Sequence, residues 1–204
     1  MVIQAVIWDL GGVLLRTEDY APRRALAERF GMTLGEIEDF VFSGESGERA
    51  QRGEISVEQH WDFQGTKLGL SPVELQGFRE QFWKGDRLDT DLVNYIRNLR
   101  GSYKTGMLSN AFSDLRRVVT EVWNFADAFD EMIISAEVGL VKPDPRIYRL
   151  ALDRLGVAPE AAVFIDDFLR NIEGARAVKM NAIHFSNPQQ ARSELDNLLN
   201  GSHR

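Results

Sequence analysis

The stretch Val2-Ile3-Gln4-Ala5-Val6-Ile7-Trp8-Asp9-Leu10-Gly11-Gly12-Val13 decides how the rest of the chain is read. Residues 2–8 are apolar and rich in branched side chains, and they stop at an aspartate closely followed by two glycines. That is the pattern of a strand buried on both faces and ending in a tight loop. Four later runs, at 104–108, 131–134, 161–165 and 182–185, share this character. Around them lie segments with helical spacing, at 90–99, 112–123, 145–155, 171–178 and 188–199. Such alternation implies right-handed crossovers, so the expected fold class is α/β: a Rossmann-like parallel sheet core with helices on both faces. Ligands of these sheets bind outside the carboxyl ends of the strands. Asp9, Ser109 and Asp166 all fall at such ends.

The alternation breaks once. From 17 to 86 no run reads as a buried strand, whereas 22–30, 34–42, 57–68 and 72–82 read as amphipathic helices. This segment is read as an inserted helical cap subdomain, leaving residues 1–16 and 87–204 as the core. Its position beside the Asp9 loop would place it over a site; the alternative is a helical subdomain that adds only stability. Its aromatic residues Phe40, Phe42, Trp61, Phe63, Phe82 and Trp83 are expected to form its own core, with one or two left to line a pocket. A chain of 204 residues accommodates one core with such an insertion, but hardly two full-sized domains.

The formal net charge of -7 argues against an extended nucleic-acid contact, which needs a basic surface. A small anion can still bind where cations and backbone N–H groups converge. Without cysteine there are no disulfides, thiolate nucleophiles or thiolate metal sites. The apolar run at the N-terminus is too short for a signal peptide or a bilayer span, so no membrane partner and a cytoplasmic location are expected. Nothing in the sequence specifies an oligomeric state.

At the strand ends the chemistry becomes specific. A carboxylate at Asp9 projects into the crevice and can attack phosphorus, while Gly11 and Gly12 let backbone approach a ligand or ion. By itself such an aspartate also reads as a cap or turn former. Asp166 and Asp167 add two further carboxylates, which are costly to hold together unless a hard cation neutralises them. A helix N-cap followed by a first-turn acid is the plainer reading of that pair. Ser109-Asn110 precede a helix, where a hydroxyl and N–H groups can hold phosphate oxygens. Lys142 brings positive charge, and Pro143-Asp144-Pro145 stiffens the chain that carries it.

Together, Trp8-Asp9-Leu10-Gly11-Gly12-Val13, Leu108-Ser109-Asn110, Val141-Lys142-Pro143-Asp144-Pro145 and Phe164-Ile165-Asp166-Asp167 resemble the four ordered motifs of the haloacid dehalogenase superfamily. The helical segment after the first motif, including Gly53-Glu54-Ile55-Ser56, is similar to that superfamily's cap. The resemblance implies a hydrolase acting on a small phosphorylated metabolite, with Asp9 as nucleophile and an aspartyl-phosphate intermediate. It further implies Ser109, Asn110, Gly12 and Lys142 around the phosphate. Mg2+ would be held by Asp9, the main-chain oxygen of Gly11 and the Asp166-Asp167 pair, and Asn171 would support them from behind. One departure stands out: Gly11 occupies the position where the family's usual phosphatases carry a second aspartate, the general acid and base. Losing such a group costs about 10²- to 10⁴-fold in rate, which favours good leaving groups such as sugar 1-phosphates, acyl phosphates or aryl phosphates. In this respect the chain is similar to the glucose-1-phosphate phosphatase branch. Two alternatives remain: a metal-independent 2-haloacid dehalogenase, and a weakly active or non-catalytic member that binds a phosphorylated ligand or a protein. His60, His184 and His203 lack metal-ligand spacing. Arg16 and Arg170 flank the motifs as exposed charges, and residues 201–204 are expected to fray.

Overall fold

The computed structural model describes residues 2–201. Strand β1 (Ala5–Trp8) sends Val6 and Trp8 to one face of a sheet and Ala5 and Ile7 to the other, all four fully buried. An apolar run without polar alternation follows directly from burial on two faces. After β1 come β2 (Leu15–Thr17), helices α1 (Ala21–Arg29), α2 (Leu34–Phe42), α3 (Glu45–Gln51), α4 (Val57–Leu68) and α5 (Pro72–Trp83), and strand β3 (Asp86–Leu88). The chain continues through α6 (Thr90–Leu99), β4 (Lys104–Ser109), α7 (Leu115–Arg117), β5 (Glu131–Ile134), α8 (Ser135–Val138), α9 (Pro145–Leu155), β6 (Ala162–Asp166), α10 (Leu169–Ala177), β7 (Asn181–His184) and α11 (Pro188–Gly201).

The five long-sheet strands lie in the order β5-β4-β1-β6-β7, every neighbouring pair parallel. Helices α6 and α11 cover one face with Leu92, Ile96, Leu195 and Leu199, and α9 and α10 cover the other with Ile147, Leu152, Leu155 and Ile172. Each such side chain stabilises the fold by about 1.5–3 kcal/mol through burial. The central position of β1, between β4 and β6, sets Asp9 beside Ser109 and Asp166 at the carboxyl edge.

Helices α1–α5 pack around a separate apolar cluster that includes Leu26, Ile37, Val41, Trp61, Phe78 and Phe82. Three of them start at a reciprocal capping box, Thr33 with Glu36, Ser56 with Gln59 and Ser71 with Glu74. Each box satisfies two backbone groups that a helix start otherwise leaves unpaired. The unit leans on the core where Gly53, at φ +68°, passes Ala136 so closely that a Cβ would lie 2.1 Å from its carbonyl oxygen.

Several expectations needed correction. The chain enters and leaves the helical unit through an antiparallel ribbon, Leu15 opposite Leu88 and Thr17 opposite Asp86, where no strand was expected. Both strands are three residues long, charged and half-exposed, so no apolar pattern marks them. The helix expected at 112–123 is the short α7 continued by a π-turn, Val118–Val122. Phe112 is not part of it, because its ring leaves the core to join the aromatic cluster of the helical unit. Helix α3 was not foreseen, since its sequence Glu45-Ser-Gly-Glu-Arg-Ala-Gln51 carries almost no apolar face. Gly201 belongs to α11 rather than to a frayed tail; His203 and the remainder of that tail lie outside the described residues.

Candidate active site

Asp9, Ser109, Lys142, Asp166 and Asn171 are all nearly or fully buried at the carboxyl edge of the sheet. The Lys142 ammonium lies 2.8 Å from Asp9 Oδ1 and 2.6 Å from Asp166 Oδ2. Asp9 Oδ1 also accepts the Leu10 N–H at 2.7 Å. One oxygen from each of Asp9, Asp166 and Asp167 lies within 4.8 Å of the others.

The structure narrows the part Asp166 can play. Its Oδ1 accepts from Phe168 N–H (2.7 Å), its Oδ2 from Lys142, and the Asn171 carboxamide donates to both at 3.0 Å. Asp166 is thus committed to protein donors, and Asn171 is itself held by Tyr148, whose hydroxyl donates to the Asn171 carbonyl at 2.9 Å. Asp167 is the freer of the pair: its Oδ1 is buried with no hydrogen-bond partner among the described residues. Its main-chain oxygen accepts from His184 Nε2 at 2.9 Å, so this histidine braces the acidic loop.

The electrostatics of the site are lopsided. Burial holds the Asp9 carboxyl well above the ordinary range, against the opposing pull of Lys142 and with the repulsion of Asp166 added. Burial and then Asp166 push Asp167 up to about 6. Burial opposes the Lys142 charge, but Asp9 and Asp166 together outweigh it and hold its pKa above the usual lysine value. Two of the three carboxylates, Asp9 and Asp166, share one ammonium, and Asp167 stands beside them with none. A hard divalent cation fits that deficit, and the orphan oxygen of Asp167 offers it a ligand. The Gly11 carbonyl accepts none of the hydrogen bonds of the turn that follows Asp9, so it too is available. Gly12, at φ +76°, is where the turn meets Asp167: a Cβ there would sit 2.1 Å from Asp167 Oδ2. Gly12 therefore makes room for a carboxylate. A Cβ on Gly11 would meet nothing within 4 Å.

A sequence model described as haloacid dehalogenase-like hydrolase matches residues 3–179. The chain belongs to that family. It is similar to the sesquiterpene phosphatase of Aspergillus oryzae, 26% identical over 201 residues and covering 96% of each chain. It is also similar to acyl-CoA dehydrogenase family member 10 of Mus musculus, 28% identical over 206 residues, but spans only 19% of that protein. A family enzyme of Bacteroides thetaiotaomicron, solved with magnesium and inorganic phosphate, superposes with a TM-score of 0.75 at 21% identity, covering 91% of this chain and 96% of that one. That likeness carries the fold: the sheet with helices on both faces is the haloacid dehalogenase-like architecture.

Two connections in this haloacid dehalogenase-like site were not foreseen. The Asn110 side chain is engaged with the main chain of Lys142. Ser135, fully buried at the end of β5, accepts from Ala111 N–H at 2.9 Å and donates to the Ala111 carbonyl at 3.2 Å. A serine just past a strand end was the only available sign. Arg16 pairs with Asp89 at 2.8 Å and Arg170 lies over the Phe168 ring, so neither is a loose charge. No helix among the described residues is long and apolar enough to cross a membrane.

Proposed function

We propose that this hydrolase is a magnesium-dependent phosphatase of small phosphate monoesters that works through an aspartyl-phosphate on Asp9. The observation that carries the reading is the buried, unpartnered Oδ1 of Asp167 beside two further carboxylates that share a single lysine. A metal-independent dehalogenase would leave that oxygen unsatisfied in the interior, at about 1–3 kcal/mol, and would set excess negative charge beside an anionic substrate.

In the first step an Asp9 oxygen attacks phosphorus and the bond from phosphorus to the leaving-group oxygen breaks. In the second, water attacks the phosphorus of the acyl phosphate, the bond to Asp9 breaks, and inorganic phosphate leaves. Lys142 offsets charge on Asp9 and on the phosphoryl oxygens, and the Ser109 hydroxyl, with the Asn110 N–H, donates to those oxygens. Asp9, Asp167 and the Gly11 carbonyl would hold magnesium, with Asp166 and Asn171 behind them. The ion supplies charge neutralisation of the phosphoryl group in flight. Residues 17–86 act as the cap that closes over this crevice and excludes water, residues 1–16 and 87–204 being the core.

With Gly11 in place of a carboxylic acid, the leaving group departs without protonation by a side chain. Substrates with acidic leaving groups are favoured. The test is phosphate release from p-nitrophenyl phosphate, glucose 1-phosphate, glucose 6-phosphate, farnesyl phosphate and an acyl phosphate, with magnesium or chelator. The farnesyl ester is included because the Aspergillus relative is named a sesquiterpene phosphatase. Release should require magnesium and fall by about 10⁴-fold or more in Asp9→Asn. The unfolding midpoint of that variant should hold, because Asp166 still faces Lys142. Chloride release from 2-chloropropionate without metal would overturn the reading.

A further inference from the structure

We infer that Asn110 is a positioning residue: its side chain acts on the reaction through Lys142, by holding that residue's main chain at two points. This rests on the phosphatase reading for the role of Lys142. The Asn110 carboxamide donates from Nδ2 to the Lys142 carbonyl at 3.0 Å and accepts the Lys142 N–H on Oδ1 at 2.8 Å. Neither main-chain group of Lys142 takes part in a backbone–backbone hydrogen bond among the described residues. The turn carrying Lys142, between α8 and α9, is therefore fixed at this residue by one side chain from the end of β4, 32 residues earlier.

The consequence reaches the chemistry because Lys142 has no slack. Its side chain is 1% exposed, and its ammonium is shared by Asp9 and Asp166. A shift of its Cα by a fraction of the length of a hydrogen bond lengthens both contacts at once. The carboxamide oxygen and one of the two amide N–H groups of Asn110 are spent on Lys142, which fixes the plane of the amide. Ser135 fastens the next residue, Ala111, in the same two-point manner, so the loop that follows Ser109 is anchored from two elements.

A double-mutant cycle on the full chain tests this, using Asn110→Ala, Lys142→Ala and the double variant, with p-nitrophenyl phosphate and magnesium. Asn110→Ala should lower kcat by about 10- to 100-fold, with KM moving less than about threefold. The double variant should be no slower than Lys142→Ala alone, since both changes remove one function. Losses that multiply, or a KM that rises in step with the fall in kcat/KM, would mean that Asn110 binds substrate itself and would overturn the proposal. Asn110→Asp keeps the acceptor and the shape but loses the donor, and should show the same non-additivity at smaller size if the alanine variant folds poorly. A second readout needs no turnover: the ¹⁵N signal of the Lys142 ammonium, assigned by its loss in Lys142→Ala, should be protected from exchange in the wild type and lost in Asn110→Ala. Wild-type silence in the assay would count against the phosphatase reading alone, and the ammonium signal then decides the role of Asn110. An unchanged, protected signal in the variant would sink it.

Discussion

Gly11 and Gly12 are neighbours with opposite constraints. At Gly12 an added Cβ meets the Asp167 carboxylate at 2.1 Å in a backbone conformation of positive φ. Gly12→Ala should therefore cost about 1–3 kcal/mol in unfolding free energy, and raise the magnesium concentration for half-maximal activity by displacing Asp167. At Gly11 the space is open, so Gly11→Asp should fold. If the missing acid is what limits poor leaving groups, this variant should speed glucose 6-phosphate hydrolysis by about 10-fold or more, with little change for p-nitrophenyl phosphate. No gain on the sugar phosphate would mean that the crevice, not the leaving group, limits the rate. At this scale the sequence was informative where a residue's chemistry is rare in its place. Carboxylates at Asp9, Asp166 and Asp167 declare themselves because such groups are costly at a buried strand end, and Lys142 is read only jointly with them, from the stiff Pro143-Asp144-Pro145 turn it precedes. Asn110 does not, because the partner of a carboxamide is chosen by a turn that sequence alone cannot bring next to it.

Between elements, Phe112 is the residue that crosses. It follows Ser109 by three positions, yet its ring packs on His60 at 4.7 Å between centroids and shares the cluster of Trp61, Phe78 and Phe82. Phe112→Ala removes a nearly buried ring and should destabilise the protein by about 3 kcal/mol in urea unfolding. Cleavage by a protease between α3 and α4 should rise with it, since the helical unit loses its hold on the core. The long parallel strands and the helices flanking them could be read in advance because their apolar periodicity is strong. The β2–β3 ribbon and the π-turn at Val118–Val122 could not, because their stability comes from neighbours. The ribbon depends on such neighbours: Arg23, buried in α1, donates to both oxygens of Asp86, which also accepts from Thr17.

For the molecule as a whole, His60 sets a pH dependence that is separate from the catalytic edge. It is fully buried in the helical unit, with Nδ1 paired to Ser46 Oγ at 2.9 Å and Nε2 without a partner among the described residues. Burial, and next the Arg79 charge, lower its pKa to about 4. Between that value and the unfolded one of about 6.5, the unfolded chain binds the extra proton, so stability rises with pH. The contribution is complete above the unfolded value and is lost as pH falls toward the folded one, up to roughly 3 kcal/mol. Urea unfolding at pH 7 and pH 4.5 should show acidification acting less favourably on the wild type than on His60→Gln, the raised carboxyls of Asp9 and Asp167 contributing with the opposite sign to both; an equal change in the two would place the cause elsewhere. The ribbon has a consequence of another kind. Thr17 and Asp86 are 69 residues apart in sequence but joined by a hydrogen bond across paired strands. To the sheet, everything between them is a hairpin loop, however long it grows. A lineage can lengthen, shorten or replace that insert wholesale without moving one strand of the sheet; under the cap role proposed for it, new substrates would then come by exchanging a plug-in module rather than by rebuilding the enzyme.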